Sequence, residues 1–353
     1  MNLPPFVYFI SLAAVLLAAL IILGALGRIR SKRRSMPIGQ MIDIGGYRLH
    51  LYREGTGSPA VVLEAGAGGI GLSWELVRPA IAKVAQVVVY DRAGLGWSDA
   101  SPRPRTAEVM AEELHTLLHN AGIEAPYLLV GHSLGGPSTR QFALRYPEEV
   151  TGLVMVDSAY EQQMAYFPQP LVKMVNSMKA MFTIMTWLSR LGIFALKPDL
   201  IELGDNGKLP QEIVGKIRTV LASSDTHTEA LRAETENANR LNTPPVATLG
   251  ALPMTVISHG KLDENAVPPA LGQAVRDDYE KAWQHLQEVI AALSTRSKHI
   301  VAENSGHNIQ FDQPEIIIAA ILEMINTVQN PIEQTQPMVG SGEWTAQKNF
   351  SAP

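Results

Sequence analysis

Polar and apolar positions follow three different rhythms along this chain. Residues 6–26 carry no charged side chain and are built from Leu, Ala, Ile, Val and Phe. A run of roughly 20 apolar residues is the length of one bilayer-spanning helix. Beyond it the rhythm shortens to alternation. Residues 41–44 and 47–52 alternate apolar and polar on either side of Gly45 and Gly46, which predicts a β-hairpin. Short apolar runs then recur at 60–63, 87–90, 127–130, 153–156, 254–257 and 300–302, with helical stretches between them. Strands alternating with helices predict an α/β protein with a mostly parallel sheet covered on both faces. The stretch 106–119 fits the covering role, because Val109, Met110, Leu114, Leu117 and Leu118 share one helical face.

The alternation breaks between Asp157 and Leu252, where the pattern is helical and no pair of strands is visible. This predicts a helical cap, residues 158–252, inserted after the sixth strand. It separates a first part of the core, 38–157, from a second part, 253–328. The cap opens with many large apolar groups, among them Met164, Phe167, Met181, Phe182, Met185, Trp187 and Phe194. Most of them are expected to pack, since methionine fills irregular gaps, while a minority line a pocket or rest on a bilayer. After a last helix over 314–328, residues 329–353 are polar and rich in Pro, Gly, Ser and Gln, the composition of a disordered tail.

Arg28, Arg30, Lys32, Arg33 and Arg34 follow the apolar run within the linker 27–37. Only residues 1–5 precede that run, and they contain no Lys or Arg, whereas a secretory signal peptide starts positive and has a shorter apolar stretch. The expectation is a single-pass anchor through the lipid bilayer. Basic flanks prefer the cytoplasmic side, which places the body there.

Composition narrows the chemistry. The 353 residues, 46% hydrophobic and 18% charged, suffice for a large core, and a formal net charge of -5 gives no basic excess to track a nucleic acid. With no cysteine, disulfides, thiolate metal sites and cysteine nucleophiles are excluded.

Within this frame one segment carries most of the chemical signal. The apolar run 127–130 leads directly into Gly131-His132-Ser133-Leu134-Gly135-Gly136 and then into a helical stretch. A serine on such a strand-to-helix corner needs glycines on both sides, and the corner lifts its hydroxyl above the sheet. The amide of Leu134 then lies at a helix N-terminus, where a developing oxyanion would be stabilised. A serine hydroxyl is a weak nucleophile without a base. Of nine histidines, His307 follows the last strand in Asn304-Ser305-Gly306-His307.

These segments resemble the α/β-hydrolase family of serine hydrolases and esterases, over roughly residues 41–328. Asp91-Arg92-Ala93-Gly94-Leu95-Gly96-Trp97-Ser98 resembles the family's Asp-x-x-Gly-x-Gly-x-Ser loop, which shapes the floor of the site, so Asp91, Gly94, Gly96 and Ser98 are expected to be architectural. The turn Glu64-Ala65-Gly66-Ala67-Gly68-Gly69 matches the family's first oxyanion turn, with Ala65 in place of the usual histidine. The resemblance implies the Ala67 amide as the second oxyanion donor, and the departure argues against the family's peptidases. It also implies His307 as general base. His132 is expected to point away, and His259 could support the site from behind.

The acid has two candidates. Asp157 ends the strand after the nucleophile's helix, a position from which some family members supply it. Asp263 follows the next strand in a Gly-x-x-Asp pattern. Either geometry can orient an imidazole. The expected activity is hydrolysis of a small-molecule carboxylic ester or related acyl bond through an acyl-enzyme on Ser133, with no metal or organic cofactor required. Cofactor-free haloperoxidase or carbon–carbon hydrolase chemistry could use the same three residues, and a membrane-tethered binding or signalling protein could keep the fold without turnover.

Overall fold

The computed structural model describes residues 4–205, 207–238, 247–262 and 267–330. Eight strands form one sheet: β1 (Gln40–Asp43), β2 (Arg48–Glu54), β3 (Ala60–Glu64), β4 (Val87–Tyr90), β5 (Tyr127–His132), β6 (Val150–Val156), β7 (Met254–His259) and β8 (Ser297–Ala302). Their spatial order is β1-β2-β4-β3-β5-β6-β7-β8. β1 pairs antiparallel with β2, and β2 antiparallel with β4. Every later pairing is parallel.

Eleven helices accompany the sheet among the described residues. They are α1 (Pro5–Arg34), α2 (Arg78–Ile81), α3 (Ala107–Asn120), α4 (Gly135–Arg145), α5 (Gln169–Arg190), α6 (Ile193–Leu196), α7 (Gln211–Ser223), α8 (His227–Ala238), α9 (Gln273–Ala291), α10 (Ile309–Asp312) and α11 (Pro314–Gln329). α3 begins where its sequence predicts, with the Thr106 hydroxyl accepting from the Val109 N–H. α11 begins with Pro314, whose missing N–H costs nothing in a first turn.

The sheet is covered on both faces, which explains why its central strands read as continuous apolar runs. Along β3, Val61 and Leu63 join a cluster with Trp74, Ile81 and the α11 residues Ile317 and Ile321. Ala60 and Val62 face the opposite way, toward Leu114 and Leu117 of α3, Phe142 of α4 and Trp283 of α9. Each such aliphatic side chain contributes about 1.5–3 kcal/mol by burial.

Among the described residues, none between β6 and β7 is a strand. α5 to α8 occupy that interval, and Val214, Ile217, Val220 and Ala230 meet Ile70, Leu95 and Phe311 in a third cluster. The large apolar groups of this region divide in fate. Met164, Phe167 and Phe182 are buried, whereas Met181 and Trp187 are exposed.

α1 does not end with the apolar residues but continues through the basic run to Arg34, so the expected linker is helical over most of its length. The helix is long and apolar enough to cross a membrane, with a mean hydropathy of 2.9 over its apolar window, and a signal sequence shares those properties. Residues 331–353, which make up nearly all of the expected disordered tail, lie outside the described residues, as does Asp263.

Candidate active site

Three strand ends deliver the site. β5 runs into a corner at Ser133, whose φ of 50° lies in the left-handed region that side chains normally avoid. Ser133 N–H donates to Val156 O across to the neighbouring strand, which holds the corner in place. The flanking glycines are required by space. A Cβ on Gly131 would stand 2.6 Å from Thr139 Oγ1, and one on Gly135 would stand 2.7 Å from the Glu64 carbonyl oxygen. β6 ends at Val156, and Asp157 directly after it is also left-handed, with φ 40°. These are the two described non-glycine residues with positive φ, and such strain collects where surrounding structure imposes a special geometry.

His307 follows β8 and joins the two. Ser133 Oγ lies 2.9 Å from His307 Nε2, and His307 Nδ1 lies 2.6 Å from Asp157 Oδ2. Because a carboxylate only accepts, Nδ1 carries the proton and Nε2 is left to accept from the hydroxyl. Of the expected site residues, Ser133, His307 and Asp157 therefore converge.

Asp157 is fully buried and receives four donors. Oδ1 accepts from His259 N–H at 3.1 Å and from Trp283 Nε1 at 2.9 Å. Oδ2 accepts from His307 and also from His259 Nδ1 at 2.7 Å. Burial alone would raise this carboxyl's pKa, but the charge and hydrogen bonds of His259, then those of His307, hold it well below the usual carboxylate range.

His259 faces a carboxylate at each ring nitrogen, since Nε2 lies 3.1 Å from Glu280 Oε2. Its burial works against charge, but Asp157 and then Glu280 outweigh it and push the pKa up to about 10. His259 is thus an imidazolium between two carboxylates. The donor atoms of Asp157, His259 and His307 lie within 4.8 Å of one another, a spacing that metal ligands also show. Here they are spent on each other, on Ser133 and on Glu280.

His132 does not point away as expected. Its Nε2 donates to the His307 carbonyl at 3.0 Å, and burial, then the proximity of His307, lowers its pKa to about 3. The ring is a neutral donor that fixes the His307 backbone.

The turn after β3 sits opposite Ser133 and is held by Arg92. Its guanidinium donates to the Ala65 carbonyl at 2.6 Å and to the Gly66 carbonyl at 2.7 Å. The same group pairs with Glu64 at 2.6 Å and with Glu234 of α8 at 2.7 Å, all three side chains being buried. Glu234 also accepts from Gly68 N–H at 3.3 Å. Among the described residues, neither the Ala67 nor the Leu134 N–H is spent on another group of the chain. Asp91 accepts from Gly71 and Trp97 N–H, and Ser98 Oγ donates to the Asp91 carbonyl, so this loop shapes the floor from below. Gly94 and Gly96 both have positive φ, and a Cβ on Gly96 would stand 2.2 Å from Asp91 Oδ2.

A cavity of about 520 Å³ lies over these groups. Ala67, Ser133 and His307 line its floor, and Met185, Phe194 and Leu200 contribute to its apolar wall.

The family description alpha/beta hydrolase fold matches residues 59–185. Together with the order and pairing of the eight strands, this match shows an α/β-hydrolase fold. It is similar to the uncharacterised protein YqjL of Bacillus subtilis (strain 168), at 28% identity over 282 residues that cover 80% of this chain and 89% of that one. Among solved structures, a thermophilic esterase from Thermogutta terrifontis superposes with a TM-score of 0.55 and 23% identity, covering 80% of this chain and 94% of the esterase. A bromoperoxidase from Bacillus anthracis superposes with a TM-score of 0.58 and 16% identity, covering 81% and 99%.

Proposed function

We propose that this protein is a serine hydrolase that cleaves a carboxylic ester or a related acyl bond. The observation that carries this reading is the continuous relay from Ser133 Oγ through His307 to Asp157, at 2.9 Å and 2.6 Å. Ser133 attacks the carbonyl carbon as its proton passes to His307 Nε2. The amides of Ala67 and Leu134 hold the oxyanion. His307 then returns the proton to the leaving alkoxide, an acyl-enzyme forms, and water activated by the same imidazole releases the acid. Asp157 fixes the imidazole's tautomer and offsets its charge. A thermophilic esterase among the similar structures is consistent with this chemistry.

We read residues 6–26 as a membrane anchor and the helices between β6 and β7 as a cap over the site. A cleaved signal sequence would not be built into the body, whereas Gly24, inside the apolar run, lies against Leu191 and Gly192 at the corner between α5 and α6. The basic flank supports reading the body as cytoplasmic. N-terminal sequencing of the membrane fraction tests this, because retention of residues 1–26 in the mature protein is the expected result.

For the chemistry, the protein in detergent would be treated with a fluorophosphonate and the adduct located by mass spectrometry. A covalent adduct on Ser133 that vanishes in His307→Ala is expected. An intact folded protein that takes up no label would point instead to a binding protein that retains the fold.

A further inference from the structure

We infer that the corner between α5 and α6 rests in the headgroup layer of the bilayer that holds α1, and that the catalytic cavity takes its acyl substrate from that layer. The inference rests on the hydrolase reading for its substrate and on independent observations for its surface. α1 is joined to this corner at close range. A Cβ on Gly24 would stand 1.9 Å from the Leu191 carbonyl oxygen, and one on Gly192 would stand 2.4 Å from the Gly24 Cα, so the two backbones touch. One turn further, Arg28 Nη1 donates to the Ser189 carbonyl at 3.1 Å and to the Arg190 carbonyl at 2.6 Å, capping the end of α5.

The position of this joint sets its depth. Gly24 lies four residues, about 6 Å of helix rise, before the first basic side chain, near the end of a stretch long enough to span the hydrocarbon. The joint is therefore at the membrane–water boundary. The last three turns of α5 lead up to it, and their outward face is apolar. Ile184 is 59% exposed and Trp187 60%, with Met181 and Leu188 on the same stripe. Beyond the corner, Leu196 and Leu200 continue the exposed apolar surface. Arg190 lies over the Trp187 ring at 5.8 Å, an aromatic and cationic pairing suited to a headgroup layer. A surface of this kind, continuous with a span-length helix, fits a lipid layer into which amphipathic faces sink about 5–10 Å.

The same elements form the cavity wall. Met185 of α5, Phe194 of α6 and Leu200 face the space above Ser133 while their neighbours Ile184 and Trp187 face outward. A single helical layer thus separates the lipid from the reacting serine. The substrate class that fits is an ester with a long acyl chain dissolved in the bilayer.

The test uses the full chain reconstituted in phosphatidylcholine vesicles. Bromine-labelled lipids should quench part of the tryptophan emission, and Trp187→Phe should remove that part. If the quenched emission is unchanged in Trp187→Phe, the surface assignment is wrong. In parallel, Ile184→Glu combined with Trp187→Glu should lower turnover of a long-chain ester held in the vesicles by at least about tenfold, leaving a water-soluble short-chain ester within about twofold. Equal loss on both substrates would overturn the portal. If the parent protein hydrolyses neither ester, the hydrolase reading fails, while the quenching result still decides the surface.

Discussion

Asp157 is the residue on which the site's chemistry and its stability meet. Asp157→Asn keeps the volume but replaces an acceptor with a donor opposite His307, favouring the tautomer that cannot take the serine's proton. A fall in kcat of about 10⁴ is expected, measurable with a soluble ester. The substitution also leaves the buried His259 cation with Glu280 as its one remaining carboxylate partner. Adding His259→Gln to Asp157→Asn should therefore recover stability relative to Asp157→Asn alone, and a double-mutant cycle in urea measures the coupling. The pH dependence has a definite sign. His259 has a folded pKa of about 10 against an ordinary 6.5, so its contribution is fully present below about 6.5 and is lost as pH rises through 10. Asp157 is shifted the other way, so its contribution holds above about 3.8 and is lost in acid. Thermal unfolding of the parent should show Tm falling as the pH is raised from about 7 to about 10, and His259→Gln should flatten that limb. An unaltered slope in the variant would falsify the imidazolium assignment. On the acid side His132 and His227, which burial holds down to about 3 and about 4, are neutral when folded and draw protons toward the unfolded chain below 6.5.

The elements were legible to the degree that local pattern determines them. β3 to β7 stand where continuous apolar runs marked them, because a strand buried on both faces leaves that signature, while β1 and β2 were marked by alternation and the edge strand β8 by the short run 300–302. The corner at Ser133 was equally legible, since Gly131 and Gly135 are demanded by backbone contacts that any serine in that place would face. What sequence left open is tertiary. Nothing local distinguishes Asp157, at the end of one strand, from Asp263 after the next, and only the fold brings His259, Trp283 and His307 to the first of them. Glu234 gave no signal at all, being one polar position on a largely polar helix, yet it completes the buried Arg92 pairing that pins the Ala65 and Gly66 carbonyls. Glu234→Leu should cost about 3–5 kcal/mol in urea unfolding by leaving Arg92 undercompensated. The turn beside Ser133 should loosen with it, lowering kcat more than it raises KM. Gly131→Ala should cost about 2–3 kcal/mol through its collision with α4.

At the scale of the whole molecule, the parallel sheet brings the ends of β5, β6 and β8 to one edge, and the helices between β6 and β7 lie across that edge. α1 meets this upper layer and not the sheet. Gly24 and Gly27 lie against the α5–α6 corner, Arg28 and Lys32 hold Asp225, and Ser35 Oγ lies 3.3 Å from Ser223 Oγ at the end of α7. The sheet side reaches α1's end chiefly through Trp97, whose Nε1 donates to the Ser35 carbonyl at 2.6 Å. With α1 held in a bilayer, this reverses the usual frame of reference for a covered active site. In the proposed membrane-held arrangement the roof would be the part moored to the lipid, and the sheet carrying Ser133, Asp157 and His307 the part on the far side of the cleft. Any widening of the cleft would then move the sheet half away from the lipid, while the apolar ceiling stays with α1.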